Sequence, residues 1–514
     1  MESLLDRLLK HYSLSLEGYG RLKADPSFSL LPKLDAMMAI SAKNRIARAK
    51  EANEKVLIYG DYDCDGIMAS AIMARTLHKL GIKAEVFIPS RYKDGYGLNE
   101  ENAKRIASKG YGLVILVDNG VSCLSPISYL YEKGIDCIAI DHHDVGSTLP
   151  PCTLIHDRLI GLEEKCSAGA LCFYFSSLLL GEVDYENLVM GAVSVISDVM
   201  PMKGENRTLV GLCLRLLRKG YGRRVLALLD AFPDERGLSM SAIPKINAPG
   251  RILEDQRPLI ACAYYFAGLS KDPMAALRIM EKAKETRVEM TAEAEKGEAI
   301  EESGNALFYP NPGLEGLGGL LANRLLEQKG KQTIVVSKAG NGECIASLRG
   351  KGAFDSSEFT KRVSDRLASF GGHRYAAGIR FPAESLSYVK DSFFAYCNAL
   401  PEAAEEEEEA GVELLLSEIT MENYALLRSF GPFGKDFEAP SFLLEVDTSS
   451  LTYSPRKKML STSLGKGTSI FSFLIKEGDL PRGRKAELRG KLILSKREEG
   501  VELEFFAEKA KLLP

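Results

Sequence analysis

A chain of 514 residues is too long for one compact core and points to about three or four domains of roughly 100–200 residues each. Its charged content of 26% and formal net charge of -4 exclude a globally basic coat for nucleic acid, so a polyanion would have to meet a local basic patch. No run approaches the ~20 apolar residues of a bilayer span, the start Met1-Glu2-Ser3-Leu4-Leu5-Asp6 lacks a signal-peptide pattern, and the ten cysteines form no Cys-x-x-Cys pair; the sequence predicts a soluble, cytoplasmic protein with reduced thiols and no membrane contact.

From about Val56 to His143, short β-branched runs alternate with helical patterns. Val56–Tyr59, Ala84–Ile88, Val114–Val117 and Cys137–Ile140 read as strands, with Ile67–Leu80 and Asn99–Lys109 as intervening helices. That order predicts a parallel, doubly wound sheet. After Asp198 the pattern turns helical and ends in a charged stretch, Ala275 to Ser303, expected to be a solvated helix joining two domains. A second α/β unit is expected from about Ala306 to Leu400, with Gln332–Val336 as a strand. Pro401–Ala410, holding five glutamates at Glu405–Glu409, reads as a linker. Val412–Pro514 is strand-rich, with turn residues at Gly465, Gly478, Gly483 and Gly500, and reads as a small β-barrel.

Three strand-like runs end in carboxylates. Val56–Gly60 leads into Asp61-Tyr62-Asp63-Cys64-Asp65-Gly66, Val114–Val117 into Asp118-Asn119-Gly120, and Cys137–Ile140 into Asp141-His142-His143-Asp144. In an open parallel sheet the crevice at the strands' carboxyl ends is where ligands bind. Carboxylates gathered there repel one another unless a cation lies between them. Asp-x-Asp-x-Asp-Gly also opens a calcium loop, but the twelfth position is Ile72 and the segment follows a strand. Hard oxygens with one or two imidazoles suit Mn²⁺ or Mg²⁺, and two such ions about 4 Å apart are the apparatus of phosphate-ester hydrolysis.

The ordered set Gly60–Gly66, Val117–Gly120, Asp141–His143 and Ser197-Asp198 resembles the four motifs of the DHH phosphoesterases. Ile88–Arg91 with Gly95–Leu98, Met200–Met202 with Gly204–Arg207, and Lys245–Arg251 resemble the RecJ branch of that family; Gly371–Gly378 resembles the glycine-rich motif of the accessory DHHA1 domain. The resemblance runs from roughly Leu34 to the end. It implies an α/β multidomain fold: an N-terminal segment and DHH parallel-sheet domain (1–212), a helical region with a connecting helix (213–305), a DHHA1 α/β domain (306–400), the acidic linker (401–410) and an OB-like barrel (411–514). It also implies that Asp61, Asp63, Asp118, His142 and Asp198 hold two Mn²⁺ or Mg²⁺ ions, that His143 joins the metal shell or touches the scissile phosphate, and that Asp65 and Asp141 are supporting carboxylates. Asn247, Arg251, Ser347, Arg349, Gly371, Gly372 and His373 are implied as substrate-binding. Three segments depart from the family pattern. Tyr59 stands where some relatives have histidine, Pro312–Gly318 lacks a Trp-His dipeptide, and Pro432–Pro440 keeps only part of a Pro-Phe-Gly stretch.

Between Arg456 and Arg497, twelve Lys/Arg stand against three Asp/Glu, with Tyr453, Phe471 and Phe473 nearby. Basic grooves with aromatic platforms hold single strands without reading sequence. The activity the resemblance implies is removal of nucleotides from the 5′ end of single-stranded DNA, by a monomer working with a single-strand-binding protein or helicase in repair and recombination. The competing readings are a nano-RNase or cyclic-dinucleotide phosphodiesterase, which usually lacks the barrel, and a replication scaffold that has lost catalysis.

Overall fold

The computed structural model describes all residues except Met1, Ala231, 295–299, Pro312, 340–341, 402–409, Lys466, Glu477, 498–499 and Pro514. The glutamate run Glu405–Glu409 therefore lies outside the described residues. Among the described residues, three sheets organise the fold.

The first is wholly parallel: β1 (Val56–Tyr59), β2 (Ala84–Phe87), β3 (Leu113–Val117), β4 (Asp136–Ile140) and β5 (Thr153–Ile155), in the order β2-β1-β3-β4-β5. Side chains alternate across it as the period of two demands. Val56 and Ile58 pack with Ile67, Met68 and Ile72 on one face; Leu57 and Tyr59 pack with Ile106, Ile127 and Leu130 on the other. The helix Cys64–Lys79 is buried on nearly every side because the helices Ala168–Leu180, Tyr185–Ser197 and Arg257–Ala267 close over it. In this strand order the chain reverses its direction of travel between β1 and β3, and that is where such sheets leave a crevice at their carboxyl ends.

The second sheet comprises β6 (Glu301–Ser303), β7 (Ala306–Asn311), β8 (Gln332–Lys338), β9 (Glu343–Arg349), β10 (Ser369–His373) and β11 (Ala376–Pro382), ordered β10-β11-β9-β8-β7-β6. Among the described residues β7 and β8 run parallel and the other pairs antiparallel. The charged connecting helix is Pro273–Ala294 rather than a helix reaching Ser303. Glu301–Ser303 instead forms edge strand β6, because Gly304 at φ 54° and Asn305 make a two-residue hairpin that pairs Ser303 with Ala306.

The third sheet comprises β12 (Val412–Leu414), β13 (Phe442–Asp447), β14 (Thr452–Ser454), β15 (Met459–Gly465), β16 (Thr468–Ser472), β17 (Lys485–Arg497) and β18 (Gly500–Leu512), ordered β12-β13-β17-β18-β16-β15-β14. A register shift at Arg489/Gly490 bends the long β17–β18 pair. The sheet directs Phe442, Leu444, Leu488, Leu503 and Phe505 into one core. Leu4, Leu8 and Leu9 of the helix Leu4–His11 belong to that same core, so the first residues of the chain pack on the third sheet although the sequence groups them with the first. Arg207, in the helix Gly204–Arg218, ties the first region to the segment before β13: its guanidinium donates to the carbonyls of Phe430, Gly431 and Pro432 at 2.7–2.8 Å.

All ten cysteines are free thiols, and no described helix is long and apolar enough to cross a membrane.

Candidate metal centre and phosphate cleft

The strand ends deliver their carboxylates to the crevice between β1 and β3. Asp61 follows β1, and Asp63 caps the helix Cys64–Lys79, its Oδ1 accepting from the Gly66 amide at 3.1 Å. Only glycine fits at 66, because a Cβ there would stand 2.6 Å from the Asp61 carbonyl oxygen. Asp118 follows β3 in the left-handed region at φ 62°, a strained setting for a non-glycine residue. The neighbouring Asn119 holds that turn, its amide donating to the carbonyls of Val117 (2.9 Å), Gly60 (3.2 Å) and Tyr59 (3.4 Å). Asp198 ends the helix Tyr185–Ser197, with Val199 at φ 52° turning the chain away.

His142 sits at the centre. Its Nε2 lies 3.3 Å from Asp118 Oδ1, 3.5 Å from Asp198 Oδ2 and 3.6 Å from Asp65 Oδ2. Three sets each gather one ligand atom per residue within 4.8 Å: Asp61, Asp63 and Asp118; Asp118, His142 and His143; and Asp65, His142 and Asp198. Asp118 belongs to two of them.

Asp65 and Asp141 are occupied by the protein itself. Asp65 accepts from the amides of Ala168 (2.8 Å) and Gly169 (2.7 Å) and from the Ser194 hydroxyl. Asp141 accepts from the amides of Val121 (2.9 Å), His142 (2.8 Å) and His143 (3.2 Å), and its Oδ1 lies 2.7 Å from His143 Nδ1. Both therefore orient their neighbours more than they face outward.

Electrostatics separate the groups. Burial, then the Asp63 charge, raises Asp61 well above the usual carboxylate range; burial, then Asp65, Asp63 and Asp61, does the same to Asp118. Burial and neighbouring carboxylates push Asp65 up to about 7 and Asp198 to about 8. Burial lowers His142 to about 3, which keeps its imidazole neutral and able to ligate. For Asp141, burial is outweighed by the His143 hydrogen bond, leaving it at about 2; His143 rises to about 9 for the reciprocal reason.

These residues fit a pair of divalent cations. Asp61 Oδ1, Asp118 Oδ1 and His142 Nδ1 are buried without a hydrogen-bond partner among the described residues. Such orphaned atoms are expensive to leave unpaired, and mutually repelling carboxylates need positive charge between them.

Beside this centre lies a cleft of about 240 Å³ between the first and second sheets, lined by Arg91, Arg251, Ser347, Arg349, Gly371 and Gly372. Arg251 closes the helix Ile243–Ile252, whose Gly250 would place a Cβ 2.2 Å from the Tyr62 carbonyl oxygen; no side chain fits between that helix and the metal loop. Burial, then the Arg91 charge, lowers Arg251 to about 10, so it still carries its charge at neutral pH. Burial likewise lowers Arg349. Three guanidiniums converging on one concave surface, with glycine backbone opposite, make a receptor for phosphate.

Asn247 and His373 are placed differently from the other expected substrate residues. Asn247 Oδ1 accepts from the Cys64 amide at 2.8 Å, so it braces the first turn of the helix that Asp63 caps. His373 ends exposed strand β10 outside the cleft lining, its carbonyl accepting from the Ser356 hydroxyl at 2.7 Å.

Several site residues escaped the sequence reading. Arg91 lies over the Tyr62 ring at 4.1 Å and donates to the Gly250 carbonyl; its segment Ile88–Arg91 was a usable signal. Tyr96 donates to the Asp118 carbonyl at 3.0 Å and its hydroxyl lies 3.0 Å from His143 Nδ1, again within a motif segment. Buried His156 donates from Nε2 to the His143 carbonyl at 2.9 Å, and nothing in the sequence marked it. Gly316 and Gly319, within and just beyond the departing Pro312–Gly318 segment, line the cleft, and Gly316 accepts from Arg251 at 3.5 Å.

Comparison with known proteins places this geometry. The DHH family N-terminal domain matches residues 55–190 and the DHHA1 domain matches residues 318–399. The single-stranded-DNA-specific exonuclease RecJ of Bacillus subtilis is 30% identical over 429 residues, covering 79% of this chain and 53% of that protein. This chain thus spans about half the length of that relative. The protein of the same name from Thermus thermophilus is 28% identical over 482 residues, covering 91% of this chain and 70% of that protein. The crystal structure of RecJ with Mn²⁺ from Thermus thermophilus superposes with a TM-score of 0.82 at 24% identity, over 99% of this chain and 76% of that one, and this likeness establishes the fold. A manganese-bound exonuclease RecJ superposes with a TM-score of 0.62 at 26% identity, over 74% of this chain and 99% of that one. The DHH and DHHA1 domains are thus matched in order, and the proteins to which the chain is similar along most of its length are of one type, RecJ.

Proposed function

We propose that the chain is a metal-dependent exonuclease that hydrolyses single-stranded DNA from its 5′ end to 5′-mononucleotides. The observation that carries this reading is the adjacency of a buried carboxylate–imidazole cluster to a cleft lined by three arginines. The named relatives supply the substrate class, and the 5′→3′ polarity rests on the motif resemblance.

On this reading Asp61, Asp63, Asp118, His142 and Asp198 would hold two ions, Mn²⁺ or Mg²⁺, with Asp65 and Asp141 in support. Two such ions, when bound, stabilise charge on the attacking and leaving oxygens of a displacement at phosphorus. The protein's own groups do the rest. Arg251 and Arg91 bind the phosphate next to the metal centre. Arg349, Ser347 and the Gly371-Gly372 backbone clasp the terminal phosphate, with His373 at the rim. His143, oriented by Asp141 and Tyr96, contacts the scissile phosphate. Water breaks the P–O3′ bond of the terminal nucleotide, which leaves with its own 5′-phosphate and a new 3′-hydroxyl, while the shortened strand keeps a 5′-phosphate. The third sheet's basic residues and exposed Phe473 extend the grip on the strand. We assign the chain the partition 1–212, 213–305, 306–400, 401–410 and 411–514, with Leu4–His11 counted with the third sheet. It works as a cytoplasmic monomer, with a single-strand-binding protein or a helicase as partner.

A two-domain nano-RNase or cyclic-dinucleotide phosphodiesterase is disfavoured by the third sheet and its anchorage through Arg207. A scaffold that has lost catalysis is disfavoured by the complete ligand set. The test is release of mononucleotides from long single strands, duplexes and dinucleotides with Mn²⁺, using native protein and Asp118→Ala. Release from single strands alone, lost in Asp118→Ala, is expected; full activity in the variant or preference for dinucleotides would overturn the reading.

A further inference from the structure

The helix Tyr185–Ser197 runs into the metal centre at Asp198, and its other end opens on a second basin. At 1.5 Å per residue the two ends stand ~18 Å apart. The basin has a volume of about 660 Å³ and is lined by residues that include Glu186, Lys219, Tyr221, Arg223, Arg224 and Leu277. That volume is in the range of small-molecule sites.

Its charge is unbalanced. Three cations face one carboxylate, and the carboxylate is already engaged: Glu186 Oε1 accepts from the Gly222 amide at 3.1 Å, and Oε2 lies 3.6 Å from Arg224. Lys219 and Arg223 are exposed and have no ion pair or side-chain hydrogen bond among the described residues.

A band of rings borders the cations. Tyr221 is 43% exposed and meets Tyr185 edge-on at 5.2 Å; Tyr185 stacks on Phe28 at 5.4 Å, and Arg215 lies over Phe28 at 5.9 Å. Free cations recognise a phosphate, and an exposed ring beside them recognises a planar base. An acidic peptide would satisfy the cations and leave the rings unused.

We propose that this basin is a second nucleotide site, with the phosphate on Lys219 and Arg223 and the base on Tyr221, at the end of the helix opposite Asp198. Its ligand is either a free mononucleotide or a nucleotide unit within a strand. The test is fluorescence titration of the full chain in EDTA, in an Arg251→Ala, Arg349→Ala background that silences the arginine cleft. One arm uses 2-aminopurine deoxynucleoside 5′-monophosphate, the other a 20-nucleotide single strand with one internal 2-aminopurine. Binding in either arm, weakened tenfold or more by Lys219→Glu with Arg223→Glu, is expected, as is loss of the stacking quench in Tyr221→Ala. The arm that responds names the source. Curves unchanged by the double reversal, or binding of a polyglutamate peptide where neither nucleotide probe binds, would overturn the proposal.

Discussion

The metal centre and the arginine cleft are neighbours built on opposite principles. The centre is buried and negative, and most of its groups stand at the ends of β1, β3 and β4, where sheet topology alone brings them together. The cleft is open and positive, and it draws Arg91, Arg251 and Arg349 from three separate stretches of chain. The first region is set mainly by a single sheet and turns on charge repulsion that a bound cation or protonation relieves. The second exists only because the helix Ile243–Ile252 presses on the metal loop at Gly250 while the second sheet faces both. On the proposed reading, catalytic chemistry is fixed locally and the grip on substrate is fixed by packing.

The widest separation of the two is expected in kinetics. Asp118→Ala lowers kcat at saturating strand by roughly a thousandfold or more, because several kcal/mol of charge stabilisation is lost. Arg251→Ala acts mainly on kcat/KM and on strand affinity, roughly tenfold to a hundredfold, with a shallower dependence of binding on salt. Equal effects of both variants on kcat would collapse the distinction between centre and cleft. Asp141→Asn touches neither ion nor strand but removes the charged partner of His143; loss of such a supporting carboxylate costs about tenfold to a hundredfold in metal affinity or activity. Excess Mn²⁺ recovers part of that loss if the effect runs through the metal centre, and none if it runs through the strand.

A smaller effect separates the regions through pH. In the metal-free fold Asp65 and Asp198 are raised to about 7 and about 8, so the fold favours their protonated forms. Their stability contribution is complete below the ordinary carboxylate range and is lost as pH rises through about 7 to 8. Mn²⁺ replaces those protons. Its stabilisation, read as a shift in Tm, is therefore larger at pH 8 than at pH 5.5, by a few degrees. An equal shift at both pH values would mean that the cluster is not where the ion acts.

Legibility in the sequence follows the same division. β1 is found where its β-branched run predicts, and β3 and β4 differ from expectation by one residue, because a fully buried parallel strand reads as a continuous apolar run. The carboxylates after them were legible for that reason. The short strand β5 carried too little pattern to find. Asn247 stood in a recognisable segment, yet its bond to the Cys64 amide depends on how two distant helices meet. His156 reaches the metal loop through a single carbonyl, a contact without any local signature. The helix Leu4–His11 had a readable start, since Ser3 and Asp6 form a capping box, but its destination in the third sheet's core is a matter of tertiary packing.

That Asp118 would help to hold two cations is tested most directly by counting them. Equilibrium dialysis of the full chain with Mn²⁺ is predicted to give two ions per chain, falling to one or none in Asp118→Ala with secondary structure unchanged. Two ions retained in Asp118→Ala, or a single ion in the native protein at saturation, would contradict it.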